Sequence, residues 1–115
     1  MDQLTELEVA LLERLFLKYS NLKTHLPFLK VKERSTTKVG MQVDFEYTNL
    51  ENELEFEELN ALFSGGENIQ VKGLKQGLGY VIDITAGQIV FLEFSTYGEN
   101  WNGQFGDYKI ISEEN

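Results

Sequence analysis

The chain has 115 residues, 42% hydrophobic and 12% aromatic, which suits a single folded domain over 1–115 and excludes a disordered segment. It has no cysteine, which excludes disulfides and thiolate metal sites. Its net charge of −9 divides into +2 over the first 38 residues and −11 over the rest, a balance that repels a phosphate backbone and argues against nucleic-acid binding. Met1-Asp2-Gln3-Leu4 lacks the basic start of a secretory leader, and no apolar run nears the ~20 residues of a membrane span. A cytoplasmic protein with no membrane association is therefore expected, and the acidic surface suits a basic protein partner.

Residues 3–19 predict an amphipathic helix, because Leu4, Leu7, Leu11, Leu12, Leu15, Phe16 and Tyr19 recur at three- and four-residue steps. Asp2 or Thr5 would cap its start, and Glu6 and Glu8 suit its positive end. Ser20-Asn21 ends it or begins a short turn through Leu26, and Pro27 marks a break. A first strand is expected over 28–34, followed by a polar turn from Ser35 to Lys38. The clearest strand is 41–47, where Met41, Val43, Phe45 and Tyr47 alternate with Gln42, Asp44 and Glu46.

Residues 49–66 fit either a helix or irregular structure, with Leu54, Phe56, Leu59, Leu62 and Phe63 among five glutamates. A short strand is expected over 68–74. Tyr80 to Tyr97, interrupted at Thr85-Ala86-Gly87, predicts a β-hairpin. A two-residue loop would pair Ile84 with Ile89; a three-residue loop with Gly87 left-handed would pair Ile84 with Gln88. The longer loop gathers Tyr80, Ile82, Ile84, Val90, Leu92 and Phe94 on one face, so it is the preferred register. Residues 98–106 form a Gly- and Asn-rich loop, and Tyr108 to Ile111 adds an edge strand. The expected fold is α+β: an antiparallel sheet of about five strands with the N-terminal amphipathic helix packed on one face.

Catalytic signatures are scarce. His25 is the one histidine and has no recognisable orienting partner in the sequence, so it reads as an ordinary polar residue. Gly77-Leu78-Gly79 precedes a strand and not a helix, so it is no nucleotide fingerprint. Asp83 and Glu93 are the carboxylates set within apolar runs, and they read as solvated or salt-bridged strand acids. No catalytic residue, metal ligand or cofactor is assigned. Tyr97, Glu99, Trp101 and Phe105 lie in a Gly-rich loop, where aromatics either contact a partner or fold back onto the core. They form the candidate binding surface. Arg34 is expected to pair with Glu93, which would offset desolvation of a strand glutamate.

Several blocks carry a resemblance: Glu33-Arg34-Ser35-Thr36 running on to Gly40–Phe45, Val71-Lys72-Gly73-Leu74, Gly77-Leu78-Gly79-Tyr80-Val81, and Leu92-Glu93-Phe94-Ser95-Thr96-Tyr97-Gly98-Glu99-Asn100-Trp101. Over about residues 28–103 the chain resembles an uncharacterised family of small bacterial proteins. It departs from that pattern at Asn102, where the family has Pro, and at Thr36-Thr37, where it has Thr-Gly. The resemblance implies the α+β fold and no reaction. By analogy alone, small acidic α+β proteins also look like immunity proteins that neutralise basic toxins. The expected function is a non-enzymatic protein-interaction role, immunity-like or regulatory, with a basic partner. The alternative is a small-ligand-binding protein or minor enzyme with a pocket near Arg34 and Glu93.

Overall fold

The computed structural model describes residues 3–48, 54 and 56–112. Helix α1 spans Glu6–Lys18. Thr5 caps it through a reciprocal box: its hydroxyl accepts the Glu8 amide at 3.1 Å, and the Glu8 carboxylate accepts the Thr5 amide at 2.8 Å. The apolar stripe of α1 buries Leu7, Leu11, Leu12, Leu15 and Phe16. Each such side chain contributes about 1.5–3 kcal/mol of transfer free energy. A 3-10 helix over Ser20–Phe28 follows, with Pro27 inside it, and leads directly into the sheet.

Seven strands follow in chain order: β1 Leu29–Thr36, β2 Gly40–Tyr47, β3 Ala61–Phe63, β4 Glu67–Gln70, β5 Gly79–Thr85, β6 Gln88–Ser95 and β7 Lys109–Ser112. Five of them form an antiparallel sheet in the order β1-β2-β6-β5-β3, and β4 and β7 pair separately. Met41, Val43 and Phe45 turn inward as their alternation predicts, and they join one core with the stripe of α1 and with Tyr80, Ile82, Leu92 and Phe94. The predicted helix, the strand at 41–47 and the hairpin are all present. The strand predicted over 68–74 is shorter, ending at Gln70, and β7 lies beside β4 instead of extending the main sheet. Of the stretch 49–66, residues 49–53 and 55 lie outside the described residues. From Phe56 on it is irregular until β3, so the helical alternative does not form there.

The hairpin corrects the expected register. Ile84 pairs with Ile89 and Thr85 with Gln88, so the loop is the two residues Ala86-Gly87. Both have positive φ, 52° and 77°, the mirror-image turn that matches strand twist. A β-bulge then leaves Val90 without a partner, and pairing resumes with Asp83 opposite Phe91 and Ile82 opposite Leu92. The bulge reverses the facing of β6 once, so Ile89, Leu92 and Phe94 are all buried while Val90 is exposed. The short turn and the apolar face are thus reconciled by one extra residue.

A second bulge lies in β1. Val31 pairs with Phe45 and Glu33 with Asp44, leaving Lys32 as the extra residue. Leu29 and Val31 face the core before it; beyond it Arg34 stands opposite inward-facing Val43. Strict alternation from Val31 would have turned Arg34 to the opposite face.

Candidate functional site

The bulge at Lys32 aims Arg34 at α1. Its Nε donates to Glu8 Oε2 at 2.9 Å and its NH2 to Glu8 Oε1 at 2.8 Å, while the Glu8 side chain is only 4% exposed. The expected Arg34–Glu93 pair is therefore not formed. Glu93 stands opposite Gln42 and Val81, on the sheet face away from α1. Arg34 and Glu93 lie on opposite faces of one sheet and do not line a common pocket; Glu93 instead borders a shallow cavity with Ser35, Gln42 and Ser95, to which Arg34 does not contribute.

The aromatic loop also differs from a contact surface. Trp101 is buried; its amide donates to the Lys38 carbonyl at 2.7 Å and its Nε1 to the Gln104 carbonyl at 3.0 Å. Phe105 packs edge-on between Trp101 and the core residue Phe94, with ring centroids 5.1 and 5.0 Å apart. These two rings cap the core. Glu99 is a clasp: its carboxylate accepts the amides of Lys75 and Gln76, each at 2.9 Å, and these bonds lower its pKa. Of the four residues placed on this loop surface, Tyr97 stays largely exposed.

Two buried polar clusters lie elsewhere. The Tyr80 hydroxyl donates to Glu67 at 2.6 Å, and Glu67 pairs with Arg14 of α1 at 3.2 Å. Burial, then the Glu67 carboxylate, raises the Tyr80 pKa. His25 is buried, with Nδ1 2.8 Å from the Tyr47 hydroxyl, which accepts the Ile89 amide at 2.9 Å. Burial pushes Tyr47 up to about 12 against the opposing pull of the Ile89 bond. The rings of His25, Tyr47 and Phe56 meet edge-to-face at centroid distances of 5.4–5.5 Å. This is a satisfied polar knot joining the 3-10 helix to β2 and β6.

The face of the sheet turned away from α1 is the remaining site. Pairing aligns Glu33, Asp44, Phe91, Asp83 and Leu62 in one row across β1, β2, β6, β5 and β3. The neighbouring row holds Ser35, Gln42, Glu93 and Val81. Leu62 is 69% exposed and Val90 is exposed beside the half-buried Phe91, so apolar side chains alternate with carboxylates across this face. Lys30, opposite Glu46, and the bulged Lys32 stand at the β1 margin. The two ion pairs among the described residues, Arg14–Glu67 and Arg34–Glu8, both involve α1. On the open face the carboxylates are held instead by neutral donors: Ser35 on Glu33, Gln42 on Asp44 and Thr85 on Asp83, at 2.7–3.0 Å. Glu33 and Asp44 are like charges directly opposite each other, an arrangement that disfavours the isolated sheet.

Asp44 and Glu46 were visible in the alternation of 41–47, but Asp83, Phe91 and Leu62 join them only through register. Comparison of the chain with protein-family models, curated proteins and solved structures finds no match. Among the described residues, no helix is long and apolar enough to cross a membrane.

Proposed function

We propose that this chain is a non-enzymatic protein-interaction module whose open sheet face docks a basic protein, in an immunity-like or regulatory role. The observation that carries the reading is the row Glu33–Asp44–Phe91–Asp83–Leu62: a half-buried Phe91 at its centre, carboxylates on both sides of it, an exposed Leu62 at its β3 end, and no ion pair to those carboxylates among the described residues. An apolar centre with a charged rim is the usual anatomy of a protein interface. A basic partner would supply the countercharge and relieve the Glu33–Asp44 repulsion. The absence of cysteine fits a cytoplasmic setting.

The test is capture from the native host with the wild-type chain and with Asp44→Asn/Asp83→Asn. The expected partner is basic, is lost with the double variant, and elutes earlier as salt is raised, because screening weakens steering between exposed charges. An acidic partner, or capture indifferent to the double variant, overturns the reading.

A further inference from the structure

We infer that the open face seats an arginine of its partner, laid flat over the Phe91 ring between Asp44 and Asp83. The inference rests on the reading of this face as a docking surface and names the chemistry at its centre. Phe91 is the residue directly opposite both Asp44 on β2 and Asp83 on β5. Adjacent strands lie about 4.8 Å apart, so one carboxylate flanks the ring on each side. Each of these carboxylates accepts one neutral hydrogen bond, from Gln42 or Thr85, and a carboxylate has room for several more.

A guanidinium is planar, is weakly hydrated and donates in a fork. It can stack on a ring while its edge bonds a carboxylate alongside. An ammonium is a compact, strongly hydrated charge that gains less from the same ring. Val90, exposed next to the ring, would take the aliphatic stem, and Leu62, exposed beyond Asp83 on β3, would meet an apolar neighbour of the arginine. The aspartates supply charge to any cation; the ring between them supplies the preference for arginine.

The test uses the full chain labelled with 15N and titrated at low salt with acetyl-Gly-Arg-Gly-amide and acetyl-Gly-Lys-Gly-amide. Saturable shifts are expected at the amides of Asp44, Asp83 and Phe91, with the arginine peptide binding about two- to fivefold tighter. Phe91→Tyr keeps that preference and Phe91→Leu removes it. Equal binding of the two peptides, shifts centred elsewhere, or an arginine preference that survives Phe91→Leu overturns the seat. Should Phe91→Leu fail to fold by circular dichroism, Asp44→Asn/Asp83→Asn decides: lost binding supports the seat and retained binding overturns it. If the arginine preference is missing while partner capture still depends on both aspartates, the seat fails and the docking face stands. Capture indifferent to the aspartates removes the docking face itself.

Discussion

Arg34 grips Glu8 through two parallel hydrogen bonds, one from Nε and one from NH2, and so ties β1 to the first turn of α1. The same Glu8 carboxylate completes the cap of the helix by accepting the Thr5 amide. Removing the guanidinium would leave a buried carboxylate facing only that amide. Arg34→Ala is expected to destabilise by about 2–3 kcal/mol, below the full value for a buried pair because Arg34 is partly exposed. Lys32→Ala, at the exposed bulge, should change stability by less than about 0.5 kcal/mol. Urea denaturation of both variants measures the difference, and equal midpoints would refute the account.

Ala86 holds a φ of 52°, a left-handed conformation that side chains disfavour. Its amide donates to Asn60 Oδ1 at 2.9 Å, which any replacement except proline preserves. Ala86→Asn should stabilise by about 0.5–1 kcal/mol, since Asn-Gly suits both positions of this turn. A lowered thermal midpoint would show that the strain is relieved in some other way.

Alkali should act through Tyr47. Its folded pKa, about 12, lies above the ordinary value of 10.0. The folded state therefore holds its proton more tightly, and the associated stability is complete below pH 10 and declines as pH rises toward 12. Tyr47→Phe should cost about 1–2 kcal/mol at neutral pH, because the Ile89 amide loses its acceptor. The same variant should show a shallower alkaline loss than wild type. Parallel pH–stability curves for the two proteins would count against Tyr47 as the titrating group.

Glu99 predicts the opposite limb. Its pKa is lowered from 4.5 by the amides of Lys75 and Gln76. Its contribution is complete above that value and disappears as pH falls through the lowered folded value. The stability gap between wild type and Glu99→Gln should be constant at neutral pH and narrow in acid below about 4.5. A gap independent of pH would assign the clasp no charge dependence.

Trp101→Ala should cost about 3–5 kcal/mol, as expected for a buried indole removed from the Phe94–Phe105 stack. The fluorescence of the folded wild type should be blue-shifted and move red on unfolding. A fully folded, equally stable Trp101→Ala would return the loop to the candidate surfaces.

What the sequence carried about this fold was periodicity, and what it concealed was interruption. The helix stripe and the alternation at 41–47 are local patterns, so they survive into the structure unchanged. The facing of Arg34 and the pairing of Ile84 depend on Lys32 and Val90, two extra residues whose side chains carry no mark of being bulged. Trp101 was ambiguous because a Gly-rich loop allows an aromatic either to project or to fold back; the acceptor carbonyl of Gln104, three residues on, belongs to the folded-back form. The open face was half legible, as the polar phase of β2, and half hidden in a register that only the bulged hairpin determines.

The bulge in β1 has a bearing on solubility as well as on geometry. β1 forms one border of the main sheet, and β3, three residues long, forms the other. A long, flat border would invite strands from other molecules to add on and grow fibrils. Here the border is kinked at Lys32 and carries exposed Lys30 and Lys32, while the opposite border is too short to template much. Self-association by strand addition is thereby discouraged at both margins. The broad face is left as the surface on which another molecule can sit without starting an aggregate.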